Sequence, residues 1–255
     1  LKKLNKSVVP DGLSNYILEN PGNTWKQLKN NAREVYDEVK ERLREDQHGL
    51  CAYCEIDLVK GNDLGLDDFR VEHFFPKSPH NPPPNRSLEW RNLLGVCTGG
   101  NAKGICIPER FSSPDHSCDV PKADHNWTTL ILNPLVDIPS FPLIFNFDES
   151  TGEMAVETAV CSPNIIAKAN ESIHRLRLNS CARLLRNRKA VIDSLRDQVV
   201  ASLEAGQDMD TLMNDLAKAH LPGKDDQSWP AFFTCLRWFF GPSADQLLIA
   251  MPYDG

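Results

Sequence analysis

The chain has 255 residues, 41% of them hydrophobic and 25% charged, with 28 basic against 35 acidic side chains and a net charge of −7. That balance supplies a sizeable core and excludes wholesale disorder. No apolar run approaches the ~20 residues of a membrane span, and an acidic chain is not basic all over for nucleic-acid binding. Leu1 to Lys6 lack the pattern of a secretory signal, so a soluble, cytoplasmic chain is expected.

Along the chain, the spacing of Trp25, Leu28, Ala32, Val35, Val39 and Leu43 predicts one helix from Trp25 to Glu45, capped by Asn23 or Thr24. Leu50 to Leu58 reads as two short strands around a Cys-Ala-Tyr-Cys turn, and Phe69 to Phe75 as an extended segment. The proline-rich stretch 76–85 excludes regular structure there. Order resumes at Leu88 to Leu94, and residues 98–117 read as an inserted loop. Thr129 to Leu132 and Leu143 to Phe147 read as strands. The second of these forms a hairpin with Met154 to Val156 across Asp148 to Gly152.

From Pro163 the period is helical. Ile166, Ile173, Leu176, Cys181, Leu185, Ile192, Leu195, Val199 and Leu203 predict one long core-facing helix. Shorter helices follow at Leu212 to Ala219 and Phe232 to Phe240. Residues 168–196 carry eight basic and two acidic side chains, which suits either a phosphate-contacting surface or an ordinary solvated face. The aromatic segment Trp229 to Phe240 either closes the core or docks a partner.

Eight cysteines in a chain read as intracellular point to metal rather than disulfides. Cys51, Cys54, Cys97, Cys106 and Cys118 fall within residues 51–118, whereas Cys161, Cys181 and Cys235 lie among apolar periodic residues and read as buried thiols. Cys51-x-x-Cys54 has the bite of half a tetrahedral zinc site. Around it stand Glu72-His73 at a strand end, Trp90-Arg91-Asn92-Leu93, and Cys97 followed after twenty residues by Cys118-Asp119-x-x-Lys122.

In that order, these motifs resemble the HNH endonucleases with a ββα-metal core. The match covers residues 51–122. It departs from the family pattern in the length between Cys97 and Cys118, which leaves Cys106 or His116 as rivals of Cys118 for the fourth zinc position. It departs again in Asp119, where Asn is commoner. A narrower similarity joins Cys-Ala-Tyr-Cys-Glu, Glu-His-Phe-x-Pro-Lys, His-x-Cys-Asp-x-x-Lys and Leu-Asn-Pro before a hairpin. It is to the HNH subunits of Septu-type anti-phage systems, some of which accompany retrons.

The resemblance implies metal-dependent hydrolysis of nucleic-acid phosphodiesters. His73 would be the general base, its ordinary pKa of ~6.5 leaving it largely neutral. Glu72 and Asp119 would hold a catalytic Mg²⁺ or Mn²⁺, Asn92 would fix the loop carrying His73, and Lys122 and Arg91 would contact phosphates. Cys51, Cys54, Cys97 and Cys118 would hold a structural zinc. The implied partners are an ABC-type, PtuA-like ATPase, the nucleic-acid substrate and a retron reverse transcriptase complex.

Bland readings stay open: His73 as a half-buried core histidine beside two phenylalanines, and the cysteines as a zinc knuckle in a non-catalytic binding module. The fold expected is α+β. It has an N-terminal helical segment at 1–47, a ββα-metal HNH module with structural zinc at 48–125, a β-hairpin extension at 126–160 and a C-terminal helical region at 161–255.

Overall fold

A computed structural model describes residues 1–59, 68–77, 86–101, 110, 115–221 and 228–255. Among these residues the fold is mixed, with helices and two small antiparallel sheets. In chain order, α1 spans Asp11–Glu19, α2 Trp25–Asn31 and α3 Arg33–Asp46. Strands β1 (Arg70–His73) and β2 (Leu93–Val96) pair with Glu72 opposite Leu94 and His73 opposite Leu93. One helical turn, α4, covers Asp119–Lys122. Strands β3 (Phe145–Phe147) and β4 (Met154–Val156) form the second pair. Then come α5 (Pro163–Arg175), α6 (Ala182–Glu204), α7 (Met209–His220), α8 (Phe233–Phe240) and α9 (Pro242–Ala250).

Three expectations are corrected. The predicted helix 25–45 is two, because Ala32 leaves helical geometry (φ −136°, ψ 66°). The break lets Trp25 and Leu28 of α2 bury independently of Val39 and Leu43 of α3. The predicted long C-terminal helix also divides, between α5 and α6, where Arg177 takes a positive φ of 56°. There the carbonyl of Leu176 turns to accept the Cys118 amide at 3.0 Å. An apolar period runs straight through such a break, so the period alone does not reveal it. Finally, Thr129 to Leu132 is turn rather than strand. Ile131 and Leu132 are buried, but the amide of Leu132 is satisfied by Ser172 Oγ at 2.8 Å instead of a neighbouring strand.

The β3–β4 hairpin forms where its turn composition puts it, with Asp148 Oδ1 accepting the amides of Ser150 and Thr151. Helix starts follow their caps. Thr24 donates its amide to Gln27 Oε1 at α2, Ser162 accepts from Ile165 at α5 and Asp208 from Thr211 at α7.

One apolar cluster contains Leu28, Val39, Tyr53, Phe69, Leu93, Ile131, Phe145, Ile173, Leu184 and Phe232, and so draws on stretches throughout the chain. A second contains Leu50, Leu195, Trp229, Phe233, Phe240, Leu248 and Tyr253. The aromatic segment 229–240 therefore closes the chain's own core. The His48 ring stacks on Trp229 at 4.1 Å, tying this cluster to the end of α3.

Candidate metal centre and adjoining acidic site

Four cysteines from three separate stretches converge. Cys51 and Cys54 come from the turn after α3, Cys97 from the end of β2, and Cys118 from the residue before α4. All four are buried and none is in a disulfide. Their sulfurs lie within 4.8 Å of one another, with Cys54–Cys97 at 3.6 Å, Cys97–Cys118 at 3.7 Å and Cys51–Cys118 at 4.0 Å. A tetrahedron of Zn–S bonds near ~2.3 Å has sulfur–sulfur edges of about 3.8 Å, so the donor set fits zinc in number, chemistry and spacing.

Neighbouring groups shape this centre. Gln47 spans the knuckle and the sheet, donating to the carbonyls of Leu50 and Gly95 and accepting the Gly95 amide at 2.7 Å. Buried Asp68 accepts the amide and hydroxyl of Thr98 just past Cys97. Gly99, at φ +65°, would place a Cβ 2.2 Å from the Ser117 carbonyl, so only glycine lets the two halves of the cysteine set approach. The crowded thiols titrate as a set: burial pushes Cys51 up, but hydrogen bonds from Cys118, Cys54 and Cys97 outweigh it and hold Cys51 well below its ordinary value, whereas Cys97 and Cys118 are pushed well above theirs. A thiolate is the form that ligates metal. Cys118 supplies the fourth sulfur, His116 is not part of this group, and Cys106 lies outside the described residues.

Next to the sulfurs is an acidic site. Glu72 stands on β1 and Asp119 opens α4 directly after Cys118. Burial raises the Glu72 pKa against the opposing Lys122 charge. Burial also raises Asp119, to about 7, opposed by Arg70 and reinforced by Glu72. Among the described residues Asp119 Oδ1 and the fully buried Tyr53 hydroxyl have no hydrogen-bond partner, while Glu72 Oε1 is ion-paired with Lys122 Nζ at 2.7 Å. The Tyr53 pKa is pushed up by burial first and then by the charges of Glu72 and Asp119. Two crowded, under-satisfied carboxylates are what a hard divalent cation would relieve.

The remaining predicted residues divide. Lys122 is fully buried, its Nζ 2.7 Å from Glu72 Oε1 and donating to the His73 carbonyl at 3.0 Å. Asn92 clamps both ends of the stretch between Phe75 and Arg86. Its Nδ2 donates to the Phe75 and Arg86 carbonyls (3.0 and 2.8 Å), and its Oδ1 accepts the Phe75 amide at 2.6 Å. The His73 ring is 4% exposed, packs edge-on against Trp25 at 5.2 Å, and bonds through Nε2 to the Ser87 carbonyl at 2.9 Å. A carbonyl only accepts, so Nε2 carries the proton and Nδ1 holds the free lone pair. Burial, partly offset by that carbonyl, lowers the His73 pKa to about 4. Arg91 is exposed and, with Arg86, Asn92 and Lys168, lines a cleft of about 360 Å³.

Sequence reasoning missed Arg70, whose guanidinium is 3.5 Å from Asp119 Oδ2, and Tyr53, which sits inside the Cys-x-x-Cys turn. Arg70 lies two residues before Glu72 on the same strand. Period-2 alternation therefore puts the two on one face, a signal that was available.

No family model matches the chain. It is 33% identical over 213 residues, 75% of its length, to an Escherichia coli protein described as the HNH endonuclease of retron Ec83, and covers 79% of that protein. It is 26% identical over 178 residues to the Septu protein PtuB of Bacillus thuringiensis, covering 69% of this chain and 54% of that one. A 65-residue stretch, 26% of the chain, is 35% identical to a Vibrio cholerae protein described as the HNH endonuclease of retron Vc95, covering 29% of that protein.

Proposed function

This chain belongs to the HNH endonuclease family and is a nuclease, and from that premise we propose that it hydrolyses phosphodiesters at Glu72, His73 and Asp119 as the effector of an anti-phage defence complex. The observation that carries the proposal is the meeting of Glu72 and Asp119, which are 47 positions apart in sequence, as two half-buried acids with raised pKa values beside the four-cysteine centre. In this reading residues 48–125 form a ββα-metal module built from β1, β2 and α4.

His73 is the general base. Its Nε2–H is fixed on Ser87, its Nδ1 lone pair accepts the proton of the attacking water, and its lowered pKa keeps the ring neutral at pH 7. Asn92 positions the loop that follows His73. Lys122 orients the Glu72 carboxylate from within, while Arg91 and Arg86 meet substrate phosphates along their cleft. Glu72 and Asp119 hold Mg²⁺ or Mn²⁺, which when bound stabilises charge on the phosphate and the leaving oxygen. Zinc on Cys51, Cys54, Cys97 and Cys118 is structural.

The relatives are named for a retron and a Septu system, and the partners proposed are those the sequence resemblance implies, an ABC-type, PtuA-like ATPase and a retron reverse transcriptase complex. An acidic chain has little charge of its own with which to capture nucleic acid, which supports assisted substrate delivery. The test is to purify the chain with its genomic neighbours and follow cleavage of DNA and RNA with Mg²⁺, Mn²⁺ or EDTA. Wild type is expected to cut only with the divalent ion, and Glu72→Gln and Asp119→Asn to lose cleavage. Cleavage in EDTA, or by both variants at the wild-type rate, would overturn the assignment.

A further inference from the structure

We propose that Arg183 of α6 is the counter-ion of the four-cysteine metal centre, its guanidinium linked to the Cys118 sulfur through the Ser117 hydroxyl, which makes the C-terminal helical region part of the zinc site. The inference rests on the zinc reading above and deepens it.

The argument begins with charge. Zinc on four thiolates is a dianion, and burying uncompensated charge is costly. Arg183 is a fully buried side chain at 0% exposure, and a buried guanidinium is itself costly unless paired. Among the described residues, the guanidinium's hydrogen bond runs from Nη2 to Ser117 Oγ at 3.1 Å, and that hydroxyl lies 3.6 Å from Cys118 Sγ. Nε and Nη1 are buried with no hydrogen-bond partner among the described residues.

A second buried arginine on the same helix shows that this is not the usual state. Arg188 gives Nε to the Gly152 carbonyl and Nη2 to the Leu178 carbonyl and Asn179 Oδ1. Arg188 is satisfied by neutral oxygens, whereas Arg183 reaches the sulfurs through the Ser117 hydroxyl and keeps two donors unpartnered among the described residues. The charges around Arg183 agree: burial lowers its pKa, but Cys54, Cys97, Cys181 and Cys118 together more than offset it. The helix is also anchored here by backbone, since Asp115 Oδ2 accepts the Arg183 amide at 3.3 Å and the Leu176 carbonyl accepts the Cys118 amide.

Outer contacts to metal ligands typically change metal affinity by about 10–100-fold. The experiment uses the full chain, wild type against Arg183→Lys and Arg183→Gln. Zinc release to a chromophoric chelator is measured, together with the sulfur-to-metal charge-transfer band after cobalt replaces zinc. Arg183→Gln is expected to release zinc about 10–100-fold faster. Arg183→Lys, which keeps the charge but not the fork of donors, should fall between and shift the cobalt band. If Arg183→Gln does not fold, Arg183→Lys decides alone. Wild-type release rates with an unshifted band overturn the proposal. A wild-type protein that binds neither zinc nor cobalt overturns the zinc reading instead, independently of Arg183.

Discussion

Lys122 Nζ lies 2.7 Å from Glu72 Oε1, with 1% and 11% of the two side chains exposed. An ammonium so placed is not a surface phosphate contact. It partly compensates the Glu72 charge and, through the His73 carbonyl, ties α4 to the end of β1. Removing one member of such a pair strands a buried charge, at a cost of about 3–5 kcal/mol. Lys122→Met is therefore expected to be strongly destabilised in chemical denaturation. The double variant Lys122→Met/Glu72→Gln should recover a good part of the loss, and additive losses would show that the pair is not coupled.

Asn92 makes three hydrogen bonds to the two ends of one loop, each worth roughly 1 kcal/mol net. Asn92→Ala is expected to cost about 2–4 kcal/mol and to speed hydrogen exchange at the Phe75 amide. Asn92→Asp keeps the acceptor for Phe75 but turns a carboxylate toward two carbonyls, so it should be no more stable than alanine. An aspartate variant of wild-type stability would contradict the clamp.

Metal removal should separate a structural site from a dispensable one. The protein is expected to carry about one zinc per chain by elemental analysis. Cys54→Ser should lose both the metal and cooperative folding, because metal binding and folding are linked. A zinc-free wild-type protein with an unchanged melting curve would refute the assignment.

What could be read in the sequence, and what could not, follows from the range of the interaction. Cys51-x-x-Cys54 and Glu72-His73 announce themselves because their spacing is local, and the hairpin at Phe145–Val156 because turn composition and alternation are local too. The burial of Lys122 and Arg183 could not be read. Both are long charged side chains that sequence statistics put outside. Each finds its partner on a distant segment: Glu72 on β1 for Lys122, and Ser117 for Arg183. The break between α5 and α6 is of the same kind, made by delivery of the Leu176 carbonyl to Cys118, 58 positions earlier.

His48 gives a pH test away from the acidic site. Burial first, then the nearby Lys2 charge, lower its pKa to about 4, against a smaller raising effect of the Gly255 carbonyl. Because the folded pKa lies below the ordinary ~6.5, the unfolded chain binds more protons between pH 4 and 6.5. Stability from this group is therefore full above 6.5, is lost as pH falls toward 4, and changes no further below. His48 has a positive φ of 54°, which asparagine tolerates. Comparing wild type with His48→Asn across that window should show a slope of stability against pH that is smaller in the variant by up to about one proton. Equal slopes would mean that His48 does not titrate differently on folding.

The last prediction separates the catalytic from the packing role of His73. Its ring is 4% exposed against Trp25, so His73→Ala removes a buried ring as well as a base, and reduced stability is expected alongside lost cleavage. Burial makes the alanine variant ambiguous on its own. His73→Phe retains the aromatic volume beside Trp25 and removes the nitrogen lone pair together with the Nε2 donation to the Ser87 carbonyl. It is expected to melt closer to wild type than alanine does. In the purified complex with divalent ion it should still cleave at least about 10²-fold more slowly than wild type, the usual loss when a positioned general base is removed. If His73→Phe cuts at the wild-type rate, His73 is a core residue and the base must be sought elsewhere. If both variants lose activity only in proportion to their unfolded fraction, measured by circular dichroism under the assay conditions, the effect is structural and the assignment of His73 as base fails.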